Sequence, residues 1–583
     1  MAALVGPASG RDVSRRGALG AAAVAASTAA LFLVSRGKWS DPLIDSGREW
    51  IVPDALARGE LLYRDVVYWF GPFTPYFQAA FLRVFGSSFS ALVAAGAVTA
   101  IAVLAVLYAV LRKVTGKREA APWAALAVPA LVFMPNAGGM LLGMGYRIWH
   151  AAAFALAGVL LGAGAGRSRA RAVSAGVCAG LAGLCRTEWG LVAAAASALA
   201  CVVRPRRRRD GLLDAALVVA AYVATFGTGL GYFLARAGAA AVVNDGHVLL
   251  TGLPAETRHF LVAFSGLPDW KNGIPELFYS AAMWTGLFLL VALLARPAGP
   301  DRPKLLRGLA VVFAILAATA LAGGAGGAVL FSAAPLVCLA ALAAGLRRRR
   351  GSQAAALAAC GFLGLVLSYR RLFHIGDSAY VGPPLLFGFV GAAGLVRIAS
   401  ASRRRAADRA RLAAGLRWMM AGLVAVAFAG RAWQYASIEA VPFVGTGRML
   451  SARPEVAREI EELSAAIRGA TAPGDGLVVF PEGELLNFLS GRPNPIRHKV
   501  YLPGYLTADN EAAVLDELAR ARPAAIVLWR RPVSEYDRGL FGEDYGREIR
   551  AWIEERYRLV PFRASGAPQR SNPRFVLGIR RPG

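Results

Sequence analysis

Residues 41–86, DPLIDSGREWIVPDALARGELLYRDVVYWFGPFTPYFQAAFLRVFG, gather more acid–base chemistry than any other stretch of the chain. Asp41, Asp45, Glu49, Asp54, Glu60 and Asp65 stand among Arg48, Arg58 and Arg64, with Trp50, Tyr63, Tyr68, Trp69 and Phe70 between them. Asp45 and Glu49 are four apart, so on a helix their carboxylates share one face. Two carboxylates at the mouth of a helical bundle suit proton abstraction or the holding of a cation, because burial and mutual repulsion raise one pKa. The same residues also suit a wet interfacial helix with an aromatic belt. Gly71-Pro72 and Pro75 break the chain, which predicts a kinked entry into the apolar run that follows.

The elements around this segment must be membrane helices. The 583 residues are 56% hydrophobic and only 17% charged, with a mean hydropathy of +0.47, where a soluble chain carries roughly a quarter charged residues. Apolar runs of about 20 residues, enough to cross ~30 Å of hydrocarbon, recur at roughly 17–35, 88–111, 121–137, 148–166, 172–185, 189–203, 211–235, 276–296, 306–322, 326–346, 353–369, 379–397 and 412–432. That predicts about thirteen spans, two of them short.

Every second connection is basic: Arg15 and Arg16, Arg112 to Arg118, Arg167 to Arg171, Arg204 to Arg209, Arg302 to Arg307, Arg347 to Arg350, and Arg403 to Arg411. Cytoplasmic loops carry this excess, so the expected N-terminus is cytoplasmic, on an uncleaved signal anchor. An odd number of spans then puts the C-terminal region outside. The formal charge of +28 is explained by these clusters, and no nucleic-acid motif accompanies them. The five cysteines, Cys178, Cys185, Cys201, Cys338 and Cys360, lie in apolar runs without CxxC spacing, so neither a disulfide framework nor a zinc site is indicated.

From about residue 436 the chain is no longer membrane-like. Helical patterns at Glu455–Ile467, 509–521 and 546–557 alternate with strand patterns at 476–480, 524–529 and 574–579. The expected organisation is a transmembrane domain over 1–435 and a small extracytoplasmic α/β domain over 436–583.

Read for order as well as type, the loop resembles the first external loop of GT-C glycosyltransferases, in particular the bacterial branch of protein O-mannosyltransferases and the aminoarabinose transferase of lipid A. Asp45 stands at that family's acidic position past the first span and Gly59-Glu60 at its Gly-acid step. Tyr63-Arg64-Asp65 follows, Gly71-Pro72 is the Pro-containing turn, and Phe85-Gly86 closes the pattern. The resemblance implies inverting transfer of a sugar from a polyprenyl-phosphate donor to an acceptor hydroxyl, on a glycan, lipid or protein, at the outer face of the cell membrane. Asp45 would be the general base, with Glu49 supporting it or helping to hold a divalent cation. Tyr63, Arg64 and Asp65 would belong to the substrate site. Two departures stand out: the family's Asp-Glu pair is split by Ser46, and the lysine of some relatives is Phe70 here.

A cation for the carrier phosphate is expected elsewhere. Arg370 and Arg371, followed by His374, lie on the expected outer side against the positive-inside trend, and arginine forks match phosphate oxygens. Arg186-Thr187-Glu188 reads either as a local ion pair or as part of a polar cavity; Arg147 and His150 carry a weaker signal. In the C-terminal region, PEGELLNFLSGRPNP places Glu482 and Glu484 after a strand and Asn487 on a helix, and reads either as a structural loop packed on the membrane part or as a grip on the acceptor. A lipid-linked glycan polymerase or ligase, which would rest on Arg370 and Arg371, and a multi-pass transporter are the alternatives.

Overall fold

The computed structural model describes residues 10–135, 139–142, 146–165, 168–203, 208–245, 253–264, 270–294, 333–348, 351–368, 382–401, 406–566 and 573–582. Up to residue 436 these are helices. In chain order they are α1 (Gly10–Ser35), α2 (Gly47–Ala57), α3 (Phe73–Phe85), α4 (Phe89–Thr115), α5 (Lys117–Ala127), α6 (Tyr146–Gly162), α7 (Arg169–Cys185), α8 (Thr187–Val203) and α9 (Arg208–Ala237). They continue as α10 (Ala255–Phe264), α11 (Trp270–Leu294), α12 (Ala334–Arg347), α13 (Ser352–Leu367), α14 (Gly382–Ala401) and α15 (Ala406–Ala436).

Among the described residues, four of these are long and apolar enough to cross a bilayer: Ala18–Ser35, Phe89–Thr115, Arg209–Ala237 and Leu412–Ala436. Five shorter apolar helices, Tyr146–Gly162, Thr187–Val203, Ala334–Arg347, Ser352–Leu367 and Leu385–Ala401, pack among them. The run expected at 306–322 and the first part of that at 326–346, residues 326–332, lie outside the described residues. Small residues set the packing distance: α7 lies against α9, and α12 against α13, through glycines and alanines that let backbones approach closely. The result is a polytopic membrane fold.

Between α1 and α4 the chain does more than kink. A π-helical turn, Pro42–Ser46, leads into α2, and Asp41 Oδ1 accepts from the Leu43 and Ile44 amides at 2.9 Å each. Such turns concentrate at functional sites. Helix α3 is a separate element rather than the expected bent start of the next span. The chain turns at Gly86–Ser87, and Ser88 Oγ caps α4 by accepting from the Ala91 amide at 3.2 Å.

After α15 comes a short antiparallel pair, β1 (Val441–Pro442) and β2 (Ser451–Ala452). A four-stranded sheet follows, built from β3 (Leu477–Phe480), β4 (Ala525–Trp529), β5 (Tyr557–Phe562) and β6 (Phe575–Arg580) in the order β3-β4-β6-β5. β3 and β4 are parallel, while β6 runs antiparallel to β4 and β5. Strands β3, at the sheet edge, and β4 are buried at every residue, as strands covered on both faces are. Helices α16 (Pro454–Ala470), α17 (Leu485–Ser490), α18 (Glu511–Ala521) and α19 (Arg547–Arg556) pack around them. β5 is the strand the sequence pattern does not reveal.

The C-terminal unit rests on the first loop through close backbone and aromatic contacts. A Cβ on Gly47 would come 2.3 Å from the Leu485 amide nitrogen; only a glycine lets α2 start flush against α17. Phe488 meets Trp50 and Phe89 edge-on, with ring centroids 5.1 and 4.8 Å away. Trp69 stacks on Tyr505 at 3.7 Å.

Candidate active site

Most carboxylates of the first loop have local structural partners. Asp41 caps the π turn, Asp54 bonds Arg58 and Ser87, and Glu60 pairs with Arg58 at 3.3 Å. Asp65 accepts from the Leu61 amide at 2.8 Å and pairs with Arg64 at 2.7 Å. Asp45 and Glu49 are buried, at 6% and 7% exposure, as Asp54 is, and each stands against an arginine. Arg48 Nη2 donates to Asp45 Oδ1 at 3.0 Å, and Arg147 Nη1, from the first turn of α6, donates to Glu49 Oε1 at 3.1 Å.

These pairs meet at a narrow cavity of about 20 Å³, room for about one water. Arg48, Glu49, Tyr68, Phe70, Gln78 and Arg147 line it from the membrane part, and Lys499 and Tyr505 from the C-terminal unit. Glu49 faces the cavity, whereas Asp45 stands behind Arg48. The Arg147 guanidinium lies 3.8 Å from the centre of the Phe70 ring and that of Arg186 5.1 Å from it, so one aromatic ring carries two cations. The Gly71 turn makes this possible: a Cβ there would fall 2.0 Å from the Leu184 carbonyl oxygen, at the end of α7 just before Arg186. Arg186 also pairs with Glu188 at 2.6 Å, the local ion pair that one reading of Arg186-Thr187-Glu188 expects; neither residue lines the cavity.

Electrostatically, the acids on this face of the loop form one neighbourhood. Burial raises Asp45 to about 6; Arg48 opposes the rise, and Asp41 and Glu49 add to it. From the C-terminal unit, burial raises Glu482 to about 8 against the pull of Arg531 and Arg48, with Glu484 and Asp45 adding to the rise. Burial likewise raises Glu484 to about 7, opposed in part by backbone hydrogen bonds and Arg48. Arg531 Nη1 lies 3.2 Å from Glu482 Oε1. Burial lowers Lys499, which donates to the carbonyls of Asn494 and Ile496 at 3.1 and 2.7 Å and lies 3.8 Å from Glu60.

Other expected site residues fall elsewhere. Tyr63 is buried with φ +69° and its hydroxyl donates to the Phe70 carbonyl at 2.7 Å. Arg64 is exposed in its pair with Asp65. Arg497 ties this turn to the C-terminal unit by donating to the Arg64 and Tyr63 carbonyls at 2.7 and 2.9 Å. None of the three lines the cavity. Arg370, Arg371 and His374 lie outside the described residues. His150 is held by Thr74 and Thr99 at 3.0 and 2.9 Å, and Asn487 donates to the carbonyls of Leu477 and Arg492 at 2.9 and 3.0 Å. Sequence reasoning did not find Lys499, Tyr505 or Arg531; the basic run Arg497-His498-Lys499 just before the apolar VYLPGY was the one available hint for Lys499. Among the described residues no cluster of three or more His, Cys, Asp or Glu has the arrangement of a metal site.

No family model matches the chain, and no curated protein does. Solved structures do. ArnT from Cupriavidus metallidurans in the apo state aligns with a TM-score of 0.51 at 14% identity, over 96% of this chain and 98% of that one. The same protein bound to undecaprenyl phosphate gives 0.50 at 14% identity, over 95% and 96%. The oligosaccharyltransferase of Archaeoglobus fulgidus, in complex with Zn and sulfate, aligns at 0.47 and 14% identity, over 87% of this chain and 68% of that one. Helical bundle, first loop and C-terminal unit together thus make up a fold similar to that of ArnT over nearly the whole of both chains.

Proposed function

We propose that the chain is a membrane glycosyltransferase that moves a sugar from a polyprenyl-phosphate donor to an acceptor hydroxyl at the outer face of the cell membrane, with inversion. The observation that carries this is a buried carboxylate, Asp45, raised to about 6 and held by Arg48, beside two arginines gathered on Phe70. ArnT, whose fold is similar over nearly the whole of both chains, has been solved bound to undecaprenyl phosphate.

In the proposed step Asp45 takes the proton of the acceptor hydroxyl while that oxygen bonds to the anomeric carbon. The bond from that carbon to the phosphate oxygen breaks on the opposite face, and the carrier phosphate leaves with the electron pair. A base near neutrality is well matched to this work. Arg147 meets the phosphate charge, doing from α6 what a lysine at position 70 would do. Arg186, on the same ring, adds to the field. Glu49 fixes Arg147. A cavity of about 20 Å³ is too small for a sugar, so transfer requires the Trp69–Tyr505 contact to part.

The test uses the full chain in proteoliposomes. Undecaprenyl phosphate is titrated by its ³¹P resonance, and transfer is measured with a radiolabelled pool of polyprenyl-phosphate sugars. Asp45→Asn is expected to keep undecaprenyl phosphate binding and lose transfer. Transfer retained by Asp45→Asn removes Asp45 as the base, and no binding by the wild-type chain removes the donor class.

A further inference from the structure

A second cavity, of about 230 Å³, lies between α4, α5, α14 and α15. It sits at the end of the bundle away from the C-terminal unit. Thr115 is the last residue of α4, whose first residue, Phe89, touches Phe488; at 1.5 Å per residue the helix puts about 40 Å between its ends. Arg417 lies nineteen residues before the end of α15, from which the C-terminal unit begins. The basic runs at 112–118 and 403–411 mark this end as the one expected to face the cytoplasm.

The walls divide by polarity. Trp123 and Met420 are buried and form the apolar part. Arg118, Arg397 and Arg417, all exposed, stand around the opening. Glu119 is the only acid of the lining. Its Oε1 pairs with Arg397 Nη1 at 3.2 Å, while its Oε2 is shielded from solvent and has no hydrogen-bond partner. A shielded carboxylate oxygen without a donor is costly and calls for a cation. Arginines in excess over acid call for a phosphate. The apolar wall beneath calls for hydrocarbon.

We infer that this cavity binds an aminophospholipid of the inner leaflet: the phosphodiester meets Arg118 and Arg417, the ammonium meets Glu119 Oε2, and the first methylenes of an acyl chain lie on Trp123 and Met420. The cavity is smaller than the roughly 300–1,000 Å³ of pockets that enclose a whole ligand, as fits a headgroup site with the chains left in the bilayer. Basic pockets between helices on the cytoplasmic side are physically suited to lipid headgroups; here the acid narrows the choice to a headgroup carrying both charges. Binding there would hold α5, α14 and α15 together far from the proposed transfer site.

The experiment delipidates the full-length protein in detergent and titrates it separately with dioctanoyl phosphatidylethanolamine, phosphatidylglycerol and phosphatidylcholine, and with inorganic phosphate. Bound lipid is read by native mass spectrometry and stability by melting temperature. Phosphatidylethanolamine is expected to bind at least tenfold more tightly than phosphatidylglycerol, and inorganic phosphate not to compete. Glu119→Gln is expected to abolish that preference, and Arg417→Gln to weaken binding of both lipids about tenfold. Arg417 is exposed, so its replacement leaves the fold intact, which an unchanged melting temperature without lipid verifies. Competition by phosphate would reduce the cavity to a general anion site. Equal binding of all three lipids, or an Arg417→Gln protein that binds phosphatidylethanolamine as the wild type does, overturns the inference.

Discussion

Replacing Arg48 with Gln should move the acid limb of the transfer reaction without removing the base. Arg48 Nη2 lies 3.0 Å from Asp45 Oδ1, and both side chains are largely shielded, at 16% and 8% exposure. An opposite charge this close typically lowers a carboxyl pKa by about 1–3 units, so its loss should lift Asp45 from about 6 to about 7–9. At pH 7 the wild-type carboxyl is about nine-tenths ionised; after the substitution it is about one-half to one-hundredth ionised. Transfer at pH 7 should fall about 2- to 90-fold and recover at pH 9 and above, because the group is rescued once it loses its proton. Arg48→Lys should shift the limb less. Glu482 and Glu484 titrate in the same field, so the limb belongs to a coupled set. A difference infrared titration of the carboxyl stretch, wild type minus Asp45→Asn, isolates the Asp45 share. A uniform loss of rate at every pH, or a difference spectrum whose midpoint stays put in Arg48→Gln, would refute the electrostatic reasoning.

Other outcomes follow from the same geometry. Glu482 and Glu484 are raised to about 8 and about 7 by burial, so the folded state binds their protons more tightly than the unfolded chain. Stability is then greatest below the ordinary carboxylate range and declines as pH rises to about 8. Glu482→Gln should raise the melting temperature by a few degrees at pH 8.5 and leave it unchanged at pH 4; parallel curves for the two proteins would contradict this. Arg147→Gln leaves Glu49 buried without its partner and should cost about 3–5 kcal/mol. Arg147→Met with Glu49→Met should regain most of that in thermal unfolding while undecaprenyl phosphate affinity stays at least tenfold down. A double variant that binds the carrier normally would remove Arg147 from the phosphate site. Gly71→Ala drives a Cβ into the Leu184 carbonyl and should lower both melting temperature and transfer. Gly59→Ala, at φ +103° with open space around it, should cost about 1 kcal/mol of backbone strain and leave transfer within about twofold, read in the same assays.

Most of the C-terminal sheet was legible because its strands are buried on both faces and read as continuous apolar runs: Leu477–Phe480 and Ala525–Trp529 are buried throughout. β5 was not, because it follows α19 with no turn residue between Arg556 and Tyr557, carries Pro561, and alternates poorly between buried and exposed. Local spacing within the first loop was equally readable: Asp45 and Glu49 stand four apart, and both are buried. Their partners were harder. Arg48 is local, but Arg147 is 98 residues from Glu49, and Lys499 and Tyr505 reach the cavity from the far side of the whole membrane part. A side chain brought in by tertiary contact leaves no periodic trace. Tyr63 and Arg64 show the converse: their order matched a known pattern, yet Tyr63 bonds backbone at a positive φ and Arg64 pairs at the surface. Motif order records what a loop must fold as well as what it must touch.

The contact that closes the cavity also sets the acid. Asp45 is near neutrality chiefly because it is buried, and the cover includes the C-terminal unit, which meets α2 at Glu484–Leu485 and Trp69 at Tyr505. On the proposed reaction a sugar enters only when that cover parts, and parting admits water. Hydration favours the charged carboxylate, so the open site presents Asp45 ready to accept a proton. Closure over the substrates desolvates the same carboxylate and strengthens its pull on the acceptor hydroxyl, while excluding bulk water as a competing acceptor. After transfer, reopening rehydrates the acid and releases the proton. The cycle needs no separate proton relay: one burial step gates entry and tunes the base, which is why a loop of the membrane part and a sheet more than 400 residues later are built against each other.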